Sequence, residues 1–135
     1  MNYRFELVPF KEFKPYIKQF HVLGHGIRNG LSESEHYQRV LTECRDLAGI
    51  LIYNECDPEP IGLLTLADHL FEDSHYQGAG IHTMHLAGNL KVSGMIALHK
   101  YLAELRDTHG ATWYSMSHRY SQYVYQTRYY PKEPA

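Results

Sequence analysis

The segment spanning residues 81–117 constrains the fold of this chain more than any other. Residues 81–86 and 111–117 have the apolar and aromatic content of β-strands, and residues 90–106 between them repeat apolar side chains at helical spacing. Gly110 follows the helical pattern as a stop signal. A helix that connects two successive strands of one sheet makes those strands parallel. The segment therefore predicts a βαβ unit inside a mixed α/β sheet.

The first half of the chain predicts the strands that would pair with this unit. Residues 3–8 alternate between apolar and polar and predict a strand, and residues 10–20 predict a helix. Two apolar runs, residues 47–53 and 61–67, flank a turn-rich connection and predict an antiparallel hairpin. The polar stretch 68–80 predicts a loop.

Two more helices complete the predicted order of elements. Ser32 or Ser34 is the predicted N-cap of a helix that runs to about residue 44, and Ser32 with Glu35 fits a capping box. Residues 118–128 predict a final helix after the βαβ unit.

The composition excludes several classes of protein. With 135 residues, 44% of them apolar and 21% charged, the chain can bury a core, so wholesale disorder is not expected. A net charge of −2 gives no electrostatic reason to expect nucleic acid as the main partner. Two cysteines are too few for a disulfide scaffold, no apolar run approaches the roughly 20 residues of a membrane span, and the N-terminus lacks the apolar core of a signal peptide. We expect one soluble, cytoplasmic domain over residues 1–135 that binds neither nucleic acid nor a membrane.

The predicted order of elements resembles the GNAT acyltransferase superfamily over roughly residues 3–130. Those domains hold the pyrophosphate of coenzyme A on a loop, Gln/Arg-x-x-Gly-x-Gly/Ala, at the start of the helix in the βαβ unit. The matching segment here is Lys91-Val92-Ser93-Gly94-Met95-Ile96. Lys91 takes the basic position, Gly94 takes the first glycine, and Ile96 departs from the small residue expected last. The segment is most similar to small GNAT-like proteins of short-tailed phages, one of them an internal virion protein.

The resemblance implies a mixed, mostly antiparallel sheet, acetyl-coenzyme A as the cofactor, and transfer of the acetyl group to an amine. Backbone N–H groups at a helix N-terminus are unpaired and the helix dipole is positive there, which favours a diphosphate. Gly94 would let the backbone approach the phosphates, and Lys91 would add a positive charge. The residues that the resemblance assigns to the cofactor are Leu86, Lys91, Val92, Ser93, Gly94, Met95 and Ile96.

Acetyl transfer also needs a base for the acceptor amine, a backbone N–H that polarises the thioester carbonyl, and a proton for the departing thiolate. His82 and His85 are the candidate bases, because they lie on the strand before the loop and histidines titrate near neutral pH. Residues three apart on a strand point to opposite faces, so only one of the two is expected to serve. Tyr123 and Tyr125 are the candidate acids. Each of the four can instead be an ordinary polar residue of its element.

A tyrosine-rich C-terminal region supports a different function. Six of the 12 tyrosines fall in the last 22 residues: Tyr114, Tyr120, Tyr123, Tyr125, Tyr129 and Tyr130. A helix over residues 118–128 cannot bury them all, so some are expected to contact a protein partner or a second copy of the chain. The sequence also leaves no room for the two-strand hairpin that ends a GNAT domain, so this hairpin is predicted to be shortened or absent. The alternative function is a catalytically inactive GNAT-like phage accessory, virion or host-protein-binding protein.

The ten histidines do not predict a metal site. His21 and His25 have the spacing of two ligands on one helical turn, but Gly24 and Gly26 disfavour a helix there. Cys44 is expected to be a buried structural cysteine. No residue is therefore assigned to a metal.

Overall fold

A computed structural model describes residues 2–22, 30–73, 76–121 and 124–132. Within these ranges the elements are β1 (Tyr3–Pro9), α1 (Phe10–Gln19), α2 (Glu33–Cys44), β2 (Leu47–Asn54), β3 (Gly62–Ala67), β4 (Phe71–Asp73), β5 (Tyr76–Gly88), α3 (Val92–Thr108), β6 (Trp113–Ser121) and β7 (Val124–Pro131).

The strands form a sheet in the order β1-β2-β3-β5-β6-β7, and β4 pairs with the first residues of β5. Neighbouring strands are antiparallel except β5 and β6, which are parallel and are joined by α3. This arrangement confirms the predicted mixed, mostly antiparallel sheet with a βαβ unit at its centre.

Different helices cover the two faces of the sheet. Phe13 of α1 packs in one apolar cluster with Leu63 of β3, on what we call the α1/α2 face. Leu98 of α3 packs in a second cluster with Leu64 of β3 and Ile81 of β5, on the α3 face. Because successive strand residues alternate between faces, cluster membership tells which face each side chain occupies.

The first half of the chain agrees with the sequence patterns. Ser32 is the N-cap of α2: its Oγ accepts the backbone N–H of Glu35 at 3.1 Å, and the Glu35 carboxylate accepts the backbone N–H of Ser32 at 3.3 Å. The two apolar runs pair as the antiparallel strands β2 and β3. The predicted capping box and hairpin are confirmed.

The loop predicted over residues 68–80 is wrong, because β4 and the start of β5 lie within it. Its glycines are packing sites rather than turn signals. A Cβ atom on Gly80 would overlap the indole ring of Trp113, and one on Gly78 would meet the side chain of Thr112. The Trp113 indole N–H also donates to the Gly78 carbonyl at 3.1 Å, so the glycines in β5 make room for β6.

The helix predicted over residues 118–128 is also wrong, because β6 runs to Ser121 and β7 begins at Val124. The antiparallel register pairs Tyr114 with Tyr130, and their rings stack at 4.8 Å between centroids. Aromatic and β-branched residues fit a pleated strand surface well, and cross-strand pairs stabilise it. In the described part of the chain one strand follows β6, which agrees with a shortened C-terminal hairpin.

Across the described ranges, every helix is too short or too polar to cross a bilayer.

Candidate functional site

A cleft opens where β5 and β6 separate. The two strands pair only through Ile81 with Tyr114 and His82 with Ser115. Beyond these pairs β5 continues beside β3, and β6 continues beside β7. The resulting cleft has a volume of about 310 Å³. Its lining residues are Leu86, Met95, His99, Met116, Ser117, His118, Arg128 and Tyr130.

The lining of the cleft favours an anionic ligand. The Arg128 guanidinium is a permanent cation, whereas no carboxylate lies among the described residues that line the cleft. A larger, more open recess of about 540 Å³ lies elsewhere and is lined by Asp46 and Asp68 as well as by cations. We take the cleft as the candidate site because it combines a strand separation with a permanent cation, Arg128.

The first turn of α3 lies next to the cleft, which Met95 lines. Lys91 is the N-cap residue in an extended conformation and provides no side-chain cap. The first intrahelical hydrogen bond runs from the Met95 N–H to the Lys91 carbonyl at 3.0 Å. The backbone N–H groups before Met95 therefore have no carbonyl partner within the helix. Val92 is 77% exposed and Ile96 is 66% exposed. Ile96 therefore lies outside the core, and its side chain points to solvent one turn along from Val92.

Ser93 and Gly94 have a structural role at the same helix start. The Ser93 hydroxyl hydrogen-bonds the Tyr3 hydroxyl at 2.8 Å. A Cβ atom on Gly94 would lie 3.3 Å from the Tyr3 ring, which is tighter than ordinary packing. The missing side chain of Gly94 thus lets α3 sit closely over β1. This contact explains the glycine without reference to a ligand.

A β-bulge in β5 changes the predicted orientation of the two histidines. Thr65 of β3 pairs with His85, but Leu66 pairs with Thr83, so Met84 is an extra residue without a partner position. Such an insertion leaves a backbone unit outside the ladder and reverses the alternation of faces. His82 and His85 therefore both lie on the α1/α2 face, and the predicted opposite orientation is wrong. The sequence pattern contains no signal for the bulge.

His85 is held between two elements. Its Nε2 lies 3.2 Å from a carboxylate oxygen of Glu43 on α2, and its Nδ1 lies 3.0 Å from the hydroxyl of Thr65. A carboxylate only accepts, so Nε2 carries the proton and Nδ1 accepts from the Thr65 hydroxyl. Burial lowers the pKa of His85, and the Glu43 carboxylate partly offsets this effect. The ring is therefore neutral near pH 7.

His82 lies at the point where β5 and β6 part. Its Nδ1 is 3.2 Å from the Ser115 hydroxyl of β6, and its ring stacks on Phe71 of β4 at 4.7 Å. The ring is half-buried. His82 and Ser115 are thus the last paired residues of the two parallel strands, and their side chains also contact each other.

One of the two candidate acids, Tyr125, lies in the described part of the chain. Tyr125 lies on β7, is 56% exposed, and is not among the residues that line the cleft. Tyr123 and the side chain of Tyr120 lie outside the part of the chain that the structure describes. Other tyrosines of the region pack: Tyr130 stacks on Tyr114, and Tyr129 contacts Trp113 edge-on at 5.1 Å.

Sequence reasoning assigned Leu86 and Met95 of the cleft lining to the site and missed the other six lining residues: His99, Met116, Ser117, His118, Arg128 and Tyr130. His99 lies one turn after Met95 on α3, so helical spacing places both on one face. Arg128 and Tyr130 required the correct assignment of residues 124–131 as a strand.

The described residues contain no group of three or more histidine, cysteine or acidic side chains that could hold a metal ion. His25 of the predicted pair lies outside the described ranges. Burial, with a smaller contribution from Glu43, raises the pKa of the Cys44 thiol to about 11, as suits a structural cysteine.

Comparisons with known proteins bear on the fold alone. No family model matches the sequence, and no curated protein matches it. The structure is similar to the crystal structure of a conserved protein of unknown function from Enterococcus faecalis V583, described as a probable N-acyltransferase, with a TM-score of 0.55 and 10% identity. The match covers 90% of this chain and 30% of that chain, so this chain spans less than a third of its length. The chain therefore shares its fold with part of that structure.

Proposed function

We propose that the protein is a GNAT-like N-acyltransferase that binds acetyl-coenzyme A and transfers the acetyl group to an amine. The observation that carries the proposal is the separation of β5 and β6, which opens a cleft next to the start of α3. The fold match to a probable N-acyltransferase supports the same reaction class.

The start of α3 and the cleft suit different parts of this substrate. The N–H groups at the start of α3 and the exposed Lys91 would hold the pyrophosphate. The apolar side chains of Leu86, Met95 and Met116 would contact the pantetheine chain in the cleft. Arg128 would attract the anionic substrate.

The β5 bulge supplies chemistry at the base of the cleft. The backbone N–H at Met84, which the bulge removes from the ladder, would polarise the thioester carbonyl. His82 or His85 would take the amine proton, and both lie on the α1/α2 face, so the acceptor would approach from that side. The Glu43 carboxylate, 3.2 Å from His85, would stabilise the imidazolium that forms.

Calorimetric titration of acetyl-coenzyme A into the purified protein tests the proposal. We expect micromolar binding that Gly94→Glu abolishes, because a side chain at this position would meet the Tyr3 ring and displace the start of α3, and that Lys91→Ala weakens about tenfold, the equivalent of one charge-assisted contact. Thr108→Glu, the same charge change at the far end of α3, should leave affinity unchanged.

Lys91→Ala keeps the test valid even where Gly94→Glu fails to fold, because Lys91 is exposed and its replacement does not disturb the core. No heat at millimolar acetyl-coenzyme A would refute the proposal. Equal weakening by Thr108→Glu and Gly94→Glu would show a non-specific charge effect and would also refute it.

A second candidate function is binding of a protein partner or a second copy of the chain. β7 is the edge strand of the sheet, and its residues Val124 and Tyr125 are 53% and 56% exposed. An exposed edge strand with apolar side chains is a template for strand addition. This function is favoured if acetyl-coenzyme A gives no heat and Val124→Lys removes self-association in analytical ultracentrifugation.

A further inference from the structure

His99 is the cleft residue whose hydrogen-bonding state the structure fixes most fully. It lies on α3 one turn after Met95, and its Nδ1 is 2.9 Å from the Tyr114 hydroxyl of β6. Tyr114 is 4% exposed and belongs to the apolar cluster under α3. The contact therefore joins the helix wall of the cleft to its strand wall.

The partner of the Tyr114 hydroxyl determines the tautomer of His99. Within the described ranges, the hydroxyl of Tyr114 has one hydrogen-bond partner, Nδ1 of His99. Because a buried hydroxyl proton needs an acceptor, the Tyr114 hydroxyl donates to Nδ1. Burial lowers the pKa of His99, which keeps the ring neutral near pH 7. A neutral ring that accepts at Nδ1 carries its proton on Nε2.

Aromatic contacts hold the ring in place. The edge of His99 meets the Tyr130 ring at 4.9 Å, and Tyr130 stacks on Tyr114. Nε2 makes no hydrogen bond with any residue in the described ranges, and the side chain lines the cleft. The cleft thus contains one preorganised neutral N–H donor.

We infer that the Nε2–H of His99 donates a hydrogen bond to the sulfur of the departing coenzyme A thiolate. The inference rests on the proposed function and names the group that serves the leaving thiolate. As the acceptor nitrogen forms its bond to the carbonyl carbon, the base takes the amine proton and the carbon–sulfur bond breaks with its electron pair on sulfur. The thiolate accepts the hydrogen bond from His99, and it takes its proton from solvent on release. His99 neither gains nor loses a proton in the cycle.

The experiment measures the ionisation of bound coenzyme A thiol, which needs no acceptor amine. Ultraviolet absorbance of the thiolate is followed against pH with saturating protein. A hydrogen bond to the thiolate should lower the thiol pKa, which is ordinarily near 8.5, by about one unit, so that roughly tenfold more thiolate is present at a given pH.

Variants separate His99 from the other cleft groups. His99→Phe should remove the shift, because it fills the space without a donor, and His99→Gln should retain part of it. Arg128→Gln tests the neighbouring cation, and His109→Phe, an exposed histidine beyond the end of α3, is the matched control.

A second measurement reports on the tautomer directly. Long-range proton–nitrogen correlation spectra should show a protonated Nε2 for His99, and Tyr114→Phe should mix the two tautomers. Proton occupancy at Nδ1 would overturn the inference. So would a thiol shift that survives His99→Phe and disappears in Arg128→Gln.

The two proposals fail differently. If coenzyme A and acetyl-coenzyme A give no heat with the wild-type protein, the proposed function fails and this inference fails with it. If coenzyme A binds with an unshifted thiol, the inference alone fails and the proposed function stands.

Discussion

The two parts of the sheet on either side of the β5–β6 separation are stabilised in different ways. In β2, the five successive residues from Gly49 to Tyr53 are buried, because α1 and α2 cover one face and α3 covers the other. In β7, which pairs only with β6, no residue is buried. The first part is a packed core. In the second part β6 reaches this core through the buried Trp113, Tyr114 and Ser115, whereas β7 is an exposed edge strand.

The attachment depends on a few specific contacts. Trp113 of β6 packs on Gly80 of β5, and Arg106 of α3 donates to the carbonyls of Tyr130 and Pro131, each at 3.1 Å. The cleft lies beyond these contacts, where Leu86 of β5 and Met116 of β6 line it. A hairpin held at few points can remain separated from its neighbour without disturbing the core, and this is what a substrate cleft requires.

The largest effect is expected from Gly80→Ala, which tests the seam between the two parts. The new methyl group would overlap the indole ring of Trp113, so the variant should lose about 3 kcal/mol of unfolding free energy or more. Urea denaturation measures the loss. In a Trp113→Leu background the same alanine should cost far less, and equal costs in both backgrounds would show that the indole does not limit this site.

Arg106→Met should have the next largest effect, because it removes the donors to two carbonyls at the end of β7. Arg106 is 9% exposed, and the loss of two hydrogen bonds from a charged donor should cost about 2–3 kcal/mol. Hydrogen exchange should accelerate in β7 more than in β2. The control Asp107→Asn changes an exposed partner of Arg106 and should leave the exchange of β7 nearly unchanged. Uniform acceleration across the sheet would contradict the idea of a separately attached hairpin.

The sequence predicted the first part well for the same reason that this part is stable. Strands buried on both faces require continuous apolar runs, and residues 47–53 and 61–67 could form little else. The C-terminal part was predicted wrongly because Tyr120 and Val124 are four apart and satisfy a helical period, whereas the cross-strand pairing of Tyr114 with Tyr130 is visible only in the fold.

The candidate site was predictable at its helix start and at Leu86, the residue of β5 that lines the cleft. Lys91 and Gly94 lie within four residues of each other at the start of α3, so a short sequence motif identifies them. The bulge at Met84 and the meeting of His99 with Arg128 depend on strand register and on segments about 30 residues apart. Local patterns do not encode such long-range geometry.

The stability of the first part of the sheet should depend on pH through one buried histidine, His85. Burial lowers the pKa of His85, so below its ordinary value near 6.5 the unfolded chain binds a proton that the folded chain refuses. The free energy of unfolding is therefore not reduced by His85 above pH 6.5, and it decreases as the pH falls below this value. His85→Gln should flatten this slope between pH 7 and 5, measured by denaturation at each pH. Glu43→Gln should steepen it, because the carboxylate favours the charged ring. Identical slopes in all three proteins would contradict the assignment.

The smallest expected effects come from two serines, one in each part. Ser32→Ala removes the cap of α2 and leaves a backbone N–H without its acceptor, which should cost about 1 kcal/mol. Ser117→Ala removes a hydroxyl pair with Thr127 that joins β6 and β7 at 2.9 Å, but this pair is exposed and water can replace it, so the cost should stay below about 0.5 kcal/mol. Denaturation of both variants under the same conditions tests the difference. If Ser117→Ala were the more costly, the exposed pairing of β6 with β7 would itself stabilise the hairpin, and the hairpin would not depend on Arg106 and Trp113 for its position.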